Sequence, residues 1–233
     1  MKKLTFFLLA VLGIMLYSCL DDDDDNGNNY WIGIGTIVGS ENNFVIELDE
    51  EDSIKPVLNP IAWLESPKWG DDIYSGSRIL INFSIFEKEF NKDGSVKQYQ
   101  VRINDFQRIL KKDIVTLTAA NADSIGNDPI IVLDHWVTDS LLNLKLKFWG
   151  NDKTHFLNLG QQENTQETPI NLELRHNAYD DQQSVLYTTY VSFCLNKLRK
   201  TSIDSVKFKV SSTDYNGTSH TFEEVFHYDT NEK

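Results

Sequence analysis

Short apolar segments with a period of two follow one another along most of the chain, separated by Asn, Asp and Gly. In 78–86, every second residue from 79 to 85 is isoleucine or phenylalanine, which predicts a strand with one buried face. Asp93-Gly94 then predicts a hairpin turn into a strand over 96–106. Because no long helical stripe interrupts the series, the sequence predicts an all-β fold.

The segments fall into two groups, which predict two domains. The first group contains five predicted strands and suits a small closed barrel: 30–38, 44–48, 54–58, 78–86 and 96–106. A loop over 119–129 separates it from seven further predicted strands: 130–137, 141–149, 154–159, 170–176, 185–195, 203–211 and 221–228. Short strands joined by turn residues at this density predict an antiparallel β-sandwich.

The first 18 residues have the features of a secretory signal. Two lysines at 2 and 3 precede an apolar run over 4–16 that is too short for a comfortable membrane span. The run ends in Leu16-Tyr17-Ser18-Cys19, which resembles the lipobox of bacterial lipoproteins. We therefore predict a lipoprotein signal peptide over 1–18 and lipidation of Cys19 by acyl chains such as palmitate. The alternative is an ordinary secretory signal followed by a chance cysteine.

Residues 19–29 are predicted to form an acidic tether, because five aspartates at 21–25 are followed by Asn and Gly. The run resembles the acidic signal that sends lipoproteins to the cell surface in some diderm bacteria; the alternative is a solvated spacer. We expect a lipid-anchored protein of the outer membrane, exposed at the cell surface. The net charge of −13 repels phosphates, so nucleic acid is not an expected partner.

No catalytic, metal or cofactor motif is evident in the sequence. His135, His155, His220 and His227 show neither metal-ligand spacing nor pairing with Cys or Glu, and no serine has the surroundings of a nucleophile elbow. Cys194 lies in the apolar run 185–195, which indicates a small buried side chain rather than a catalytic thiol. We therefore predict a non-enzymatic protein with no cofactor.

Several segments together resemble the NigD-like lipoproteins. The most telling is 172–181, Leu-Glu-Leu-Arg-His-Asn-Ala-Tyr-Asp-Asp, followed by Val191-Ser192-Phe193; 30–38, 48–52 and 124–130 also contribute. Asp180 departs from the glycine that the family pattern has at this turn. The resemblance implies an N-terminal OB-fold-like barrel over 30–115 and a C-terminal β-sandwich over 116–233. It supplies no catalytic residues.

Two groups of residues are candidates for binding. Trp63, Trp69 and Tyr74 lie in 59–76, a stretch broken by Pro and Gly that we predict to be a loop. They are expected either to bind a sugar or a partner side chain, or to cap the barrel and join the domains. Arg175 and His176 should face opposite sides of a strand. Either they bind a ligand, or His176 is a core-edge histidine bonded to the adjacent turn at 177 or 181.

Four Asp-Ser pairs followed by an apolar residue are candidates for modification: Ser53, Ser124, Ser140 and Ser205. The pattern resembles the acceptor for O-glycosylation of exported proteins in the same bacterial lineage. Ordinary turn chemistry explains it equally well. Ser140, between two predicted strands, is expected to be the most accessible.

These features favour a cell-envelope lipoprotein that acts as a non-enzymatic binding or accessory module. Its expected partners are the membrane, through lipid on Cys19, and a glycan or another envelope protein. The family resemblance adds an accessory or immunity role around a bacteriocin as the alternative, and a secreted hydrolase is the third hypothesis.

Overall fold

The computed structural model describes residues 30–49, 56–163, 168–201 and 203–228. The predicted signal peptide, the acidic tether, Cys19 and Ser53 lie outside these residues. The described residues form β1 (Trp31–Ser40), β2 (Asn43–Leu48), β3 (Val57–Trp63), β4 (Arg78–Phe90), β5 (Val96–Asp113), β6 (Val115–Leu117), α1 (Ala122–Ile125), β7 (Ile131–Thr138), β8 (Leu141–Gly150), β9 (Phe156–Gln162), β10 (Ile170–Asn177), β11 (Val185–Cys194), β12 (Ser205–Thr213) and β13 (Ser219–His227). Across these ranges, no helix has the length and apolar character needed to cross a membrane. The all-β prediction is confirmed.

Strands β1 to β5 form a closed barrel. They are ordered β3-β2-β1-β4-β5, and β3 closes the ring by pairing with β5 in parallel. The alternating isoleucines of β4 point inward, where Ile79 and Ile81 are buried with Ile37, Ile46 and Val101. Gly35 is required where β1 passes β2, because a Cβ there would lie 2.6 Å from the carbonyl oxygen of Glu47.

The second domain is a β-sandwich, as predicted, and the seven predicted strands appear as β7 to β13. One layer contains β7, β8, β11 and the end of β5, and the facing layer is ordered β13-β12-β10-β9-β6. Leucines of β8, β9 and β10 and phenylalanines of β11, β12 and β13 fill the space between the layers. The layers are mixed rather than antiparallel, because β10 pairs with β12 in parallel and β6 with β9 in parallel.

Strand β5 belongs to both domains. Its first part pairs with β3 and β4 of the barrel, while Leu110 to Asp113 pair with Val191 to Cys194 of β11 in the sandwich. The two domains are therefore joined through one continuous strand rather than through a loop.

A buried polar network lies at this junction, centred on Arg78 at the start of β4. The Arg78 side chain is fully buried and donates to both carboxylate oxygens of Asp49, at 2.7 Å for Oδ1. It also donates to Thr36 Oγ1 at 3.0 Å, Asn143 Oδ1 at 2.9 Å and Ser192 Oγ at 3.3 Å. Since Asn143 and Ser192 belong to the sandwich, this guanidinium bonds both domains at once.

Candidate functional site

The predicted aromatic site is divided between the barrel core and its surface. Trp63 is the last residue of β3, so the loop prediction is wrong there: Pro60 is accommodated at an irregularity in the pairing with β5. The Trp63 ring meets Phe106 edge-on at 5.6 Å, and Trp69 lies 5.4 Å from Phe44. Both tryptophans are half-buried and pack against the barrel core. They therefore cap the barrel, which is one of the alternatives predicted from the sequence.

Tyr74 follows Ile73, which bridges to Trp69, whereas Arg175 lies in the sandwich on β10. Tyr74 is 47% exposed. Arg175 and His176 face opposite sides of β10, as predicted from the sequence: His176 is buried, whereas Arg175 lies beside Glu173 with a distance of 3.5 Å between Nε and Oε2. The structure therefore does not bring the five predicted binding residues together into one site.

His176 belongs to a chain of hydrogen bonds that we call the histidine chain: Asp181, His155, His176 and the Pro129 carbonyl. Asp181 Oδ2 lies 3.0 Å from His155 Nε2, His155 Nδ1 lies 2.8 Å from His176 Nε2, and His176 Nδ1 lies 2.9 Å from the Pro129 oxygen. The expected bond from His176 to residue 177 or 181 is replaced by bonds to His155 and Pro129. Asp181 bonds to His155 instead.

The histidine chain is enclosed by its neighbours. The side chains of His155 and Asp181 are 5% and 1% exposed, and Phe148 stacks on His155 with ring centroids 4.8 Å apart. Gly150 leaves the room that His155 needs, since a Cβ there would lie 2.9 Å from Nε2. Burial lowers the pKa of His176 and outweighs the Pro129 carbonyl, which raises it.

Asp181 is held as a carboxylate. Its oxygens accept hydrogen bonds from the backbone N–H groups of Asn151 at 2.5 Å and Gln182 at 2.9 Å, in addition to the ring of His155. Burial alone would raise the pKa of Asp181, but the Asn151 N–H and the His155 ring outweigh it and lower the pKa far below its ordinary value.

The outer surface of the barrel carries a second polar group, which we call the amide face. Its members are Asn59, Asn82, Glu89, Gln98, Gln100 and Asn104 on β3, β4 and β5. Along β5, Gln98 and Gln100 alternate with Tyr99 and Val101, which point into the barrel. The amide side chains therefore point outward, as the alternation of a strand requires.

Hydrogen bonds across the strands fix the rotamers of the amide face. Asn59 donates to Gln100 Oε1 at 3.0 Å, and the amides of Gln98 and Gln100 both donate to the carboxylate of Glu89. Asn104 donates to Asn82 Oδ1 at 3.0 Å. The polar groups are thus ordered before any ligand arrives.

One aromatic ring lies beside the amide face. Phe86 is 57% exposed, and the Arg102 guanidinium lies 5.9 Å from its ring centre. Arg102 in turn donates to Asn104 Oδ1 at 2.9 Å. An exposed apolar ring therefore borders an array of hydrogen-bond donors and acceptors.

A cleft of about 450 Å³ lies between β7 and the β12–β13 edge of the sandwich. Its polar groups bond mainly to one another. His135 stacks on Phe222 at 3.9 Å and lies 3.3 Å from Glu224, while His220 bonds to Asp214 at 2.8 Å and thereby lowers the pKa of that carboxyl group. Because the amide face presents several carboxamides beside an exposed aromatic ring, it is the stronger candidate for ligand binding.

The candidate modification sites differ in exposure. Ser124 in α1 is exposed, whereas Ser140 and Ser205 are half-buried, so the prediction that Ser140 is the most accessible is wrong. Within the described ranges, no three His, Cys, Asp or Glu side chains are grouped to hold a metal ion.

Residues 113–225 match the sequence model of the NigD-like C-terminal β-sandwich domain. This part of the chain is a NigD-like domain. The resemblance seen in 172–181 is therefore confirmed, and the histidine chain lies within the NigD-like domain. No protein with a curated description matches the sequence.

Solved structures share the architecture of both domains. A protein from Parabacteroides distasonis described as toxin-related is 28% identical, with a TM-score of 0.68 over 87% of this chain and 96% of its own. A NigD-like immunity protein from Bacteroides caccae is 17% identical, with a TM-score of 0.62 over 87% and 99%. A Bacteroides fragilis protein described as a lipoprotein is 11% identical, with a TM-score of 0.59 over 88% and 100%. At 17% and 11% identity, the last two structures show only that the fold is shared.

Proposed function

We propose that the protein is a non-enzymatic binding module of the cell envelope, anchored by lipid on Cys19, and that it binds a glycan on the amide face. The observation that carries this proposal is the pre-ordered array of carboxamides beside the exposed Phe86 ring. The leader and Cys19 support the envelope location, and the acidic run at 21–25 supports display at the cell surface.

The chemistry of the face suits sugars. A sugar hydroxyl both donates and accepts hydrogen bonds, and a carboxamide offers one acceptor and two N–H donors. An exposed aromatic ring provides an apolar surface for the C–H face of a sugar ring. Because the side chains are already held by one another, binding orders few additional rotamers and loses little affinity to side-chain entropy.

The charges of the face favour a neutral glycan. Glu89 lies 3.6 Å from Lys97, and Glu87 and Arg102 both lie near Gln100, one opposite it on β4 and the other two residues along β5, so opposite charges offset one another although the whole chain carries −13. A polyanionic ligand would meet the negative field of the rest of the protein.

A glycan array probed with the full chain in detergent tests this function. We expect retention of neutral oligosaccharides, loss of that retention in Gln100→Ala, and no loss in Gln107→Ala, which removes an exposed amide on the same strand outside the amide face. Retention that is equal in the two variants would contradict the proposal. Capture of an envelope protein without glycan binding would reassign the protein to a protein partner.

A second candidate is an accessory role around a bacteriocin. It is favoured by the 28% identity to the protein described as toxin-related. Deletion of the gene should then change the sensitivity of the host strain to bacteriocin-producing strains, and an unchanged sensitivity would argue against this role.

A further inference from the structure

The three contacts made by the two rings of the histidine chain need three N–H hydrogens. Two neutral imidazole rings carry only two between them. The Pro129 carbonyl accepts only, so His176 Nδ1 must carry a hydrogen. Both carboxylate oxygens of Asp181 accept backbone N–H groups, which holds Asp181 as an ionised acceptor, so His155 Nε2 must carry another hydrogen. The 2.8 Å contact between His155 Nδ1 and His176 Nε2 needs a third.

We infer that His155 and His176 form a proton-binding site that holds one proton beyond two neutral rings, with the Asp181 carboxylate as its counter-ion. Three ring nitrogens of the pair are protonated and one is not. The extra proton comes from solvent, and its charge balances that of Asp181. The buried unit is therefore neutral overall, which offsets the cost of placing charges away from water.

The position of the extra charge follows from the contacts. His155 donates from both ring nitrogens, to Asp181 and to His176, and is the imidazolium. His176 accepts at Nε2, donates from Nδ1 to Pro129, and is neutral. Burial of His176, which lowers its pKa, is consistent with this assignment.

The groups facing the pair come from each neighbouring element. Asp128 lies in the loop that also contains Pro129 and acts on His176. The β8–β9 turn contributes Asp152 and Lys153, whose Nζ bonds to the Tyr179 and Asp180 carbonyls. Further titratable neighbours among the described residues are Tyr179 and Asp180 in the turn itself, Tyr187 on β11, whose hydroxyl bonds to Asn151, and Tyr215, which bonds to the Trp149 N–H.

The proton ties an unusual turn to the body of the sandwich. Tyr179 and Asp180 both have left-handed backbones, with φ of 52° and 55°, a conformation that costs energy in residues other than glycine. The turn displays Tyr179, 48% exposed, edge-on to Phe156 at 5.3 Å. Loss of the proton would leave His155 Nδ1 and His176 Nε2 with lone pairs facing each other. The link from the turn through Asp181 and His155 to β10 would then be broken at that contact.

Nitrogen NMR of the histidine rings in the full chain at pH 7 tests the inference. We expect one unprotonated, pyridine-type nitrogen for the pair, His176 Nε2, and three N–H-type nitrogens. In Asp181→Asn the extra proton should leave, so a second pyridine-type nitrogen should appear. Two pyridine-type nitrogens in the parent protein would overturn the inference, and this spectrum decides the question even if the variant does not fold.

The matched control is Asp214→Asn, which removes the carboxylate from the exposed His220 pair. It should leave the His155 and His176 resonances unchanged. In Asp181→Asn, amide hydrogen exchange at 179–182 should accelerate about tenfold, the effect of losing one hydrogen bond worth roughly 1.4 kcal/mol. One pyridine-type nitrogen in both the parent and Asp181→Asn would overturn the role of the carboxylate.

Discussion

Replacing Arg78 by methionine should destabilise both domains together. The change keeps an apolar stem of similar length but removes five hydrogen bonds made by the guanidinium within the described residues. The Asp49 carboxylate, whose side chain is 7% exposed, is then left with the indole N–H of Trp136 at 2.9 Å. Breaking a buried ion pair in this way costs about 3–5 kcal/mol, which corresponds to roughly 6–20 °C in melting temperature for a domain of this size.

Thermal and urea unfolding of the parent, Arg78→Met and the double variant Arg78→Met/Asp49→Asn measures this effect. The double variant should regain a part of the loss, because it no longer contains an unpaired buried charge. Arg108→Met is the control: it removes an exposed arginine on the adjacent β5, with one bond to the Asp71 carbonyl at 3.1 Å. A loss below about 1 kcal/mol in Arg78→Met, equal to that of the control, would refute the reasoning.

Three further predictions concern the anchor, the barrel and pH. Cys19→Ala should release the protein from membranes or leave its leader uncut, as membrane fractionation will show; normal processing with unchanged fractionation would reject lipidation. Trp63→Ala should lower the free energy of unfolding by roughly 3 kcal/mol, the low end for a buried aromatic, because its ring packs on Phe106; a melting temperature near that of the parent would show that the ring is not structural. Stability should fall as the pH drops from 6.5 to 5.5, because the pKa of His176 is lowered from 6.5 and the unfolded chain then binds a proton on each of His155 and His176, whereas the folded pair holds only one. The lowered pKa of Asp181 adds a further loss below its ordinary value of 3.8, and urea unfolding at pH 6.5, 5.5 and 3 measures both; a flat profile would contradict them.

The periodicity of the sequence predicted the strands because each strand has one face in a core. Ile79 and Ile81 of β4 illustrate this: their alternation follows directly from the barrel interior. Periodicity carries no information on which strands pair, so it did not predict that β10 and β12 run parallel. The long β5 was predicted only to residue 106, because its final part, where Leu110 is exposed and Ile109 buried, changes neighbours as it enters the sandwich.

The candidate sites were predictable to different degrees. The burial of His176 follows from its position on the apolar face of β10, but its partner His155 lies 21 residues earlier and no local pattern indicates the contact. The amide face did have a signal, since Gln98, Gln100 and Arg102 alternate with inward residues of the same strand. Polar residues on the outer face of a strand are common, however, and their bonds to Asn59 and Glu89 depend on the closure of the barrel.

The most direct measurement of the glycan-binding account is calorimetric titration of the full chain with the neutral oligosaccharide that the array retains best. The account predicts saturable binding, at least a tenfold weaker affinity in Gln100→Ala, corresponding to about 1.4 kcal/mol, and a similar loss in Phe86→Ala. Gln107→Ala should bind as the parent does, and all variants should keep the parental melting temperature within a few degrees. Affinities that are unchanged in both Gln100→Ala and Phe86→Ala would contradict the assignment of the amide face.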